Sequence, residues 1–212
     1  MISAKQEWAR NWPLPFVAML GVAGAVSFSY ASGAFLEPMT AELGWTRTEF
    51  YSALTLQMLC AMVAIPLVGL LIDRFGSRRI AGFGIGTFAI VFSMMSLANG
   101  ALWQWWLLNV CYVLGSACIT QPVWVKPVVG QFHQSRGLAM AVALSGNGAA
   151  TAIWPIAATL VISAVGWRLA FPILAGGWAL VVLPLMLAFF YDQRASEPVA
   201  PETRPSVTSA TL

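Results

Sequence analysis

Five long stretches of the chain contain no charged residue, and this pattern limits the folds available to it. The stretches cover residues 11–36, 50–72, 80–125, 137–167 and 169–191. Each has the roughly 20 mainly apolar residues that a helix needs to cross a lipid bilayer. The third is about twice that length, and Asn99-Gly100 near its middle is a turn signal that divides it into two helices. The sequence therefore predicts six transmembrane helices.

The composition also indicates a membrane protein, because 59% of the residues are hydrophobic and 9% are charged. Soluble domains carry about a quarter charged residues. Within lipid, a single crossing segment satisfies its own backbone only as a helix, so we predict an all-α integral membrane fold. The predicted helices cover residues 13–36, 48–71, 79–98, 101–125, 137–165 and 169–191.

Both ends of the chain are predicted to lie outside these helices. Residues 1–12 form an N-terminal segment, and residues 192–212 are rich in Pro, Ser and Thr, a composition typical of disorder. The first helix is longer than the apolar region of a signal peptide and is followed by Glu37-Pro38, so we expect it to be retained. Thr46 and Glu49 have the spacing of a capping box, which predicts that the second helix begins there.

The basic residues predict how the helices are oriented. With a cytoplasmic N-terminus, only Arg47 and Arg168 fall outside, as the positive-inside rule expects. Both termini are then cytoplasmic, in a cell membrane (the inner or plasma membrane). The basic residues of the separate cytoplasmic segments are Lys5, Arg10, Arg74, Arg78, Arg79, Lys126, Arg136, Arg194 and Arg204. Because these segments do not form one basic surface, nucleic acid is not predicted as a partner.

The residue types that catalysis or metal binding requires are scarce at membrane depth. Cys60, Cys111 and Cys118 all lie inside predicted helices without metal-ligand spacing, and His133 is the only histidine. The predicted helices contain no paired carboxylates, His cluster or Ser-Lys dyad of the kind that a membrane-embedded enzyme would use. We therefore predict no catalytic residue, no metal and no cofactor.

The charged loop between the second and third helices resembles the signature of the major facilitator superfamily of secondary transporters. That signature reads Gly-x-Leu-x-Asp-Arg-x-Gly followed by basic residues. The matching residues are Gly69, Leu71, Asp73, Arg74, Gly76, Arg78 and Arg79. A finer resemblance, to the monocarboxylate and oxalate/formate carrier branch, comes from Pro38-Met39, Glu42-Leu43-Gly44-Trp45-Thr46-Arg47, Phe132 and Arg136-Gly137-Leu138-Ala139 leading to Gly146.

The resemblance implies half of a transporter, because the family has twelve helices and the chain matches the first six. Similar residues at two helix ends, Gly44-Trp45 and Gly166-Trp167, weakly indicate a three-plus-three inverted repeat. Three explanations stay open: a fragment of a longer or disrupted gene, a half-transporter that pairs with another six-helix chain, or a six-helix protein with another role. The expected partners are the lipid bilayer, a small solute and a second six-helix half.

Departures from the family pattern leave the solute open. No arginine precedes Gly115 in the fourth helix, the segment Ala152-Ile153-Trp154-Pro155 lacks the antiporter pattern, and the first helix has no lysine. We predict secondary transport of a small organic anion, such as a monocarboxylate, by alternating access between two halves. The alternative is a truncated or non-transporting membrane interaction protein, and a membrane enzyme ranks below both.

The signature loop has two interpretations. Its basic residues fix the topology in either case, and by resemblance the loop is also a gating latch between the halves. Asp73 places negative charge where an opposing helix N-terminus can approach, Gly69 permits close packing, and Gly76 permits the turn. The spacing of Gly, Asp and Gly favours the latch. The proposed gating residues are Gly69, Asp73, Arg74, Gly76, Arg78 and Arg79.

Polar residues inside the predicted helices are candidates for the solute path, although hydrogen bonding between helices is the commoner role. The candidates are Tyr30, Gln57, Asn109, Gln121, Lys126 and Asn147. Asn147 stands out because it lies between Gly146 and Gly148, where room for a ligand could open. Lys126 either makes a substrate-anion or gating contact or extends to the headgroups. Gly146, Gly148 and Pro155 would let the fifth helix pack closely and flex.

Overall fold

The computed structural model describes residues 4–190, and within that range the chain forms helices and no strands. The helices are α1 (Ala4–Asn11), α2 (Pro13–Ala25), α3 (Ser27–Leu43), α4 (Arg47–Phe75), α5 (Ser77–Met94), α6 (Leu102–Ala117), α7 (Gln121–Gln131) and α8 (Arg136–Phe189). A short 3-10 turn, Met95–Leu97, follows α5. The predicted all-α fold is confirmed, whereas the disorder predicted for residues 192–212 lies outside the described residues.

Five helical segments are long and apolar enough to cross a membrane. They are Pro13–Leu43, Arg47–Phe75, Ser77–Leu97, Leu102–Gln131 and Arg136–Phe189. The last has 54 residues, so a straight helix of that length would measure about 80 Å against a hydrocarbon core of about 30 Å. At Gly166 its backbone leaves the helical region, with φ 80° and ψ 163°. This residue divides α8 into a first arm, 136–165, and a second arm, 167–189.

Two tryptophans show that the arms of α8 turn back toward each other. The indole N–H of Trp154, in the first arm, donates to the Ala23 carbonyl at 2.8 Å. The indole N–H of Trp178, in the second arm, donates to the Leu20 carbonyl at 3.1 Å. On a straight helix the two tryptophans would stand about 36 Å apart, whereas the two carbonyls of α2 are separated by about 4.5 Å along its axis. The arms therefore make the fifth and sixth crossings.

Several crossings differ from the predicted ranges at their ends. The first runs through Pro38 to Leu43 instead of ending at residue 36, and it is broken at Val26 into α2 and α3. The fourth continues past residue 125 to Gln131 and is broken between α6 and α7. The fifth and sixth meet at the single residue Gly166 instead of across a short loop. Glycine makes that turn possible because it adopts positive φ without a steric penalty.

The start of α4 follows the sequence prediction. The Glu49 backbone N–H donates to the Thr46 hydroxyl at 3.2 Å, and the Thr46 backbone N–H donates to the Glu49 carboxylate at 2.7 Å. These reciprocal bonds satisfy two of the backbone donors that a helix start leaves free. The predicted capping box is confirmed.

Two one-residue turns have nearly the same backbone conformation. Gly76 joins α4 to α5 with φ 83° and ψ 151°, and Gly166 joins the two arms of α8 with φ 80° and ψ 163°. They follow the second and the fifth crossing and lie at opposite ends of the helices, as equivalent positions in an inverted repeat must. Gly44 is a different feature, since it ends α3 in the left-handed helical region with φ 71° and ψ 22°. The structural counterpart of Gly166 is therefore Gly76.

An arginine two residues after each turn makes the equivalent contact in the other triplet of helices. Arg78 donates to the Leu187 carbonyl at 2.8 Å, near the end of the sixth crossing. Arg168 donates to the Ala98 carbonyl at 3.0 Å, just past the end of the third crossing. Each arginine thus satisfies a carbonyl at a helix C-terminus, where a positive charge is also favourable. The reciprocity supports the three-plus-three arrangement.

The core of the helix bundle is largely aromatic. Phe28, in the first crossing, is fully buried. Its ring contacts the rings of Phe92, Trp105, Tyr112 and Phe171, with centroid separations between 5.7 and 6.2 Å. These partners come from the third, fourth and sixth crossings. Edge-on aromatic pairs of this kind are favourable beyond their burial, so the cluster fixes how the helices of both triplets pack.

Candidate functional site

Contacts between distant helix ends divide the charged residues of the described chain between two faces. On one face, which we name the basic face, Glu7 bonds Ser135 and Lys126 bonds Asp73, and each bond joins the ends of two different helices. Its charged residues are Lys5, Glu7, Arg10, Asp73, Arg74, Arg78, Arg79, Lys126 and Arg136. The opposite face carries Glu37, Glu42, Arg47, Glu49 and Arg168. Basic residues are therefore concentrated on one side of the bundle.

The structure brings together two residues that the sequence places in different groups. Lys126 Nζ lies 2.6 Å from Asp73 Oδ1, so the solute-path candidate in α7 pairs with the signature-loop carboxylate at the end of α4. Their side chains are 51% and 71% exposed. The pair joins the second and fourth crossings on the basic face. Because it is open to solvent, it can exchange partners at small cost.

The other signature-loop residues have separate positions. Arg74 lies over the ring of the adjacent Phe75 at 5.4 Å, and Arg79 is exposed. Gly69 has open space at the position where a Cβ would lie. The close approach expected of Gly69 is therefore not made to any residue that the structure describes. Three residues of this loop organise the basic face. Asp73 pairs with Lys126, Gly76 makes the turn, and Arg78 donates to the Leu187 carbonyl.

Gln57 and Asn109 form a buried link between the second and fourth crossings. The Gln57 amide donates to Asn109 Oδ1, and Asn109 Nδ2 donates to the Trp105 carbonyl at 2.8 Å. Asn109 is fully buried, and Gln57 is 8% exposed. Both side chains therefore link helices. This is the commoner role of polar residues inside membrane helices, and it differs from the contact with solute for which the two residues were candidates.

Three other candidates remain accessible or incompletely bonded. Tyr30 is 38% exposed on α3, and Gln121 is half-buried as the first residue of α7. Asn147 is half-buried, and its Oδ1 is a buried acceptor without a hydrogen-bond partner in the described part of the chain. An unsatisfied buried carbonyl oxygen costs free energy unless a ligand or water supplies a donor. Asn147 therefore stays a predicted contact of the solute path.

Gly146 and Gly148 have opposite environments although they are two residues apart. A Cβ on Gly146 would overlap the Met19 carbonyl oxygen, because α2 crosses α8 there. A Cβ on Gly148 would meet no atom within 4 Å. Pro155 follows further along the same arm and is half-buried. Gly146 is therefore a packing contact inside this bundle, and Gly148 belongs to an exposed surface.

Sequence reasoning did not identify the tryptophans that surround the break in the first crossing. Trp154 donates to the Ala23 carbonyl. In an unbroken α-helix this carbonyl would accept from the Ser27 amide, which lies beyond the break at Val26. The rings of Trp124 and Trp178 lie where a side chain on Gly21 or Gly24 would otherwise stand. The available signal was a pair of glycines in the first crossing and single tryptophans in three other crossings. Their match is visible only once the helices are packed.

Glu7 is a second contact that the sequence did not reveal. Its carboxylate accepts backbone N–H bonds of 3.1 to 3.2 Å from His133, Gln134 and Ser135, at the start of α8. It also accepts from the Ser135 hydroxyl at 3.2 Å. The side chain is 7% exposed. α1 is therefore bound to the loop before a helix that begins more than a hundred residues later, and no local sequence pattern predicts such a contact.

The Glu7 bonds make the attachment of α1 dependent on pH. The amide of Gln134, followed by those of His133 and Ser135, lowers the pKa of Glu7 below its ordinary value of 4.5, although burial opposes this. A carboxyl with a depressed folded-state pKa stabilises the fold above its unfolded-state pKa, and that stabilisation is lost as the pH falls through the folded-state pKa. Acidification through this lowered pKa is expected to release α1.

Hydrogen exchange at the amides of His133, Gln134 and Ser135 checks this expectation. After correction for intrinsic rates, protection should fall between about pH 6 and about pH 3 in the wild-type chain. Glu7→Gln should show low protection at both values. Equal protection of the wild-type amides across the range would show that the carboxylate does not hold the loop.

On the opposite face, Arg168 joins the ends of three crossings. Its guanidinium bonds Glu42 Oε1 at 2.9 Å and the Ser96 carbonyl at 3.0 Å, in addition to Ala98. The guanidinium also lies 4.3 Å from the ring centroid of Trp167, whose indole N–H donates to Glu42 Oε2 at 2.6 Å. The cluster ties the first, third and sixth crossings together where they emerge.

Comparison with protein families agrees with this architecture. The family model for the Major Facilitator Superfamily matches residues 17–211, a range that contains the signature loop, most of the first crossing and the other five crossings. A comparison with curated proteins found no match. In the described part of the chain, no three His, Cys, Asp or Glu side chains are grouped as metal ligands. The chain belongs to the Major Facilitator Superfamily.

Proposed function

We propose that the chain supplies one six-helix half of a carrier for a small organic anion, such as a monocarboxylate. Membership of the superfamily supports the coarser statement that this membrane protein serves the transport of a solute, because the members of the family are transporters. In the proposed mechanism, one six-helix bundle rocks against another around a solute site near the middle of the membrane.

Lys126 is the observation that carries the proposal for an anion. It is the only charged residue of the segment Leu102–Gln131, and half of its side chain is exposed. An exposed ion pair such as that with Asp73 contributes only about 0 to 1 kcal/mol. A carboxylate solute reaching this face can therefore replace Asp73 on the ammonium group. Tyr30, Gln121 and Asn147 are the proposed polar contacts farther along the path.

A second six-helix half is the proposed partner. Small side chains form an exposed stripe along the first arm of α8, consisting of Ala141, Ser145, Gly148 and Ala152. Small residues at this spacing let another helix approach closely in a membrane. The same stripe also suits the alternative, a non-transporting membrane protein that binds a six-helix partner. Solute movement by the complex distinguishes the two.

We propose that the basic face is cytoplasmic in the cell membrane, with both chain termini on that side. The support is the distribution of Lys and Arg, since only Arg47 and Arg168 lie on the opposite face. Basic residues close to crossing helices are retained on the cytoplasmic side.

Uptake of a radiolabelled monocarboxylate into proteoliposomes tests the proposed function. The chain alone is expected to give no uptake, whereas the chain recovered from its native membrane with its six-helix partner should give saturable uptake. Lys126→Gln should reduce that uptake about tenfold, because the second half would cover Lys126 and an ion pair that is partly removed from water is worth more than an exposed one. Lys5→Gln, on the same face but outside the path, should leave it unchanged.

Two results would contradict the proposal. Robust counterflow by the chain alone would show that it does not need a second half. Full monocarboxylate uptake by the Lys126→Gln complex would remove the residue on which the anion assignment rests.

A further inference from the structure

A cavity on the basic face lies between α1 and the ends of the crossings beside it. Its volume is about 550 Å³. The polar part of its wall is formed by Gln6, Glu7, Arg10, Asn11, Gln131 and His133, and the apolar part includes Pro13, Leu14 and Phe189. The Glu7 bonds to the loop before α8 hold α1 over this space. The cavity therefore exists because α1 is fixed at both the loop and the first crossing.

The charges around the cavity favour an anion. Arg10 is exposed and forms no ion pair within the described residues. The Glu7 carboxylate keeps its negative charge, but its oxygens accept from three backbone N–H groups of the loop, so that Arg10 is the charged side chain of the wall that a ligand can pair with. The exposed His133 side chain and the Asn11 amide add donors at the same wall. A phosphate group can thus pair with Arg10 in a planar, two-bond geometry.

Aromatic side chains beside the cavity place it at the level of lipid headgroups. Trp12 and Phe16 are 56% and 44% exposed, and their rings contact each other edge to face at 6.1 Å. Exposed Trp residues at the ends of membrane helices lie in the headgroup region. Trp12 is the residue between Asn11 and Pro13 of the cavity wall. The opening therefore faces phospholipid, whose acyl chains can continue along the exposed Phe189.

We propose that this cavity binds the headgroup of an anionic phospholipid from the leaflet on the basic face. Arg10 pairs with the phosphate, His133 and Asn11 bond the polar headgroup, and the apolar wall contacts the first part of the acyl chains. The site lies beside the first, fourth and sixth crossings and is separate from the Lys126 to Asp73 pair. It does not depend on the identity of the transported solute.

Native mass spectrometry of the full chain in neutral detergent tests this site. Dioleoyl phosphatidylglycerol should be retained in preference to dioleoyl phosphatidylcholine. Arg10→Gln should reduce the retention of phosphatidylglycerol about fivefold, which corresponds to the loss of one basic residue at a lipid surface. Arg10→Lys should keep most of it. Lys5→Gln, which removes the same charge from the same helix but not from the cavity wall, should have little effect.

Three outcomes would overturn the proposal. An equal loss in Lys5→Gln and Arg10→Gln would indicate general attraction to the basic face. Displacement of phosphatidylglycerol by millimolar inorganic phosphate would indicate a site for a free anion. Equal retention of the two lipids by the wild-type chain would show that the cavity does not select an anionic headgroup.

Discussion

Gly146→Ala is expected to destabilise the purified chain by about 2 to 3 kcal/mol, because the bundle has no room for the added methyl group. The Cβ would overlap the Met19 carbonyl oxygen and lie 3.0 Å from the carbonyl carbon of the same residue. Both are backbone atoms of α2, so no side-chain rotation can relieve the contact. The two helices would have to separate, and that would also disturb the Trp154 bond to Ala23.

Gly148→Ala is the matched control for that substitution. The two glycines lie in the same arm, and a Cβ at Gly148 meets nothing within 4 Å. Alanine is favoured over glycine inside a helix by about 0.5 to 1 kcal/mol, so this variant should be as stable as the wild type or more stable. Thermal unfolding followed by tryptophan fluorescence compares the variants. Equal midpoints for the two would contradict the packing of α8 against α2.

Arg168→Gln is expected to destabilise the chain by about 1 to 2 kcal/mol, because one guanidinium bonds three helix ends. Glutamine cannot reach Glu42 and the carbonyls of Ser96 and Ala98 together. After the change, the Glu42 carboxylate keeps only its hydrogen bond from the Trp167 indole. The carbonyls of Ser96 and Ala98, just after α5, lose the donor that Arg168 supplied. Chemical unfolding in mixed micelles measures the difference in unfolding free energy.

Arg47→Gln separates this effect from a general loss of charge. Arg47 is on the same face and exposed, so its removal should change stability by less than about 0.5 kcal/mol. If Arg47→Gln and Arg168→Gln were equally destabilising, the cluster around Arg168 would not be the cause.

The sequence was sufficient to predict the crossings because their physical requirement is local. A charge-free stretch of about 20 residues must be a helix in lipid wherever it occurs in a chain. The capping box at Thr46 is local in the same way. The break at Val26 was missed because the Ala23 carbonyl beside it accepts from Trp154, in another helix. The break between α6 and α7 was missed although its bonds are local, since Thr120 and Trp124 donate to the Ala117 and Ile119 carbonyls.

The rotation of each helix about its own axis was the information that the sequence lacked. An apolar helix carries little amphipathic signal when lipid covers one face and protein the other. For polar residues such as Gln57 and Asn109, the sequence predicted the depth in the membrane but not which side of the helix faces the protein. Their mutual bond, and the pairing of Lys126 with Asp73, follow only from packing. Glu7 is the extreme case, because its partners lie in a loop far away in the chain.

Cysteine labelling in intact cells tests the central claim of six crossings with the basic face inside. In a chain whose three native cysteines are replaced by alanine, single cysteines are introduced at Thr48, Val165, Arg79 and His133. A membrane-impermeant maleimide should label Thr48→Cys and Val165→Cys in intact cells, and Arg79→Cys and His133→Cys only after the membrane is opened. Labelling of Val165→Cys and His133→Cys on the same side would contradict the crossing between them and the fold described above.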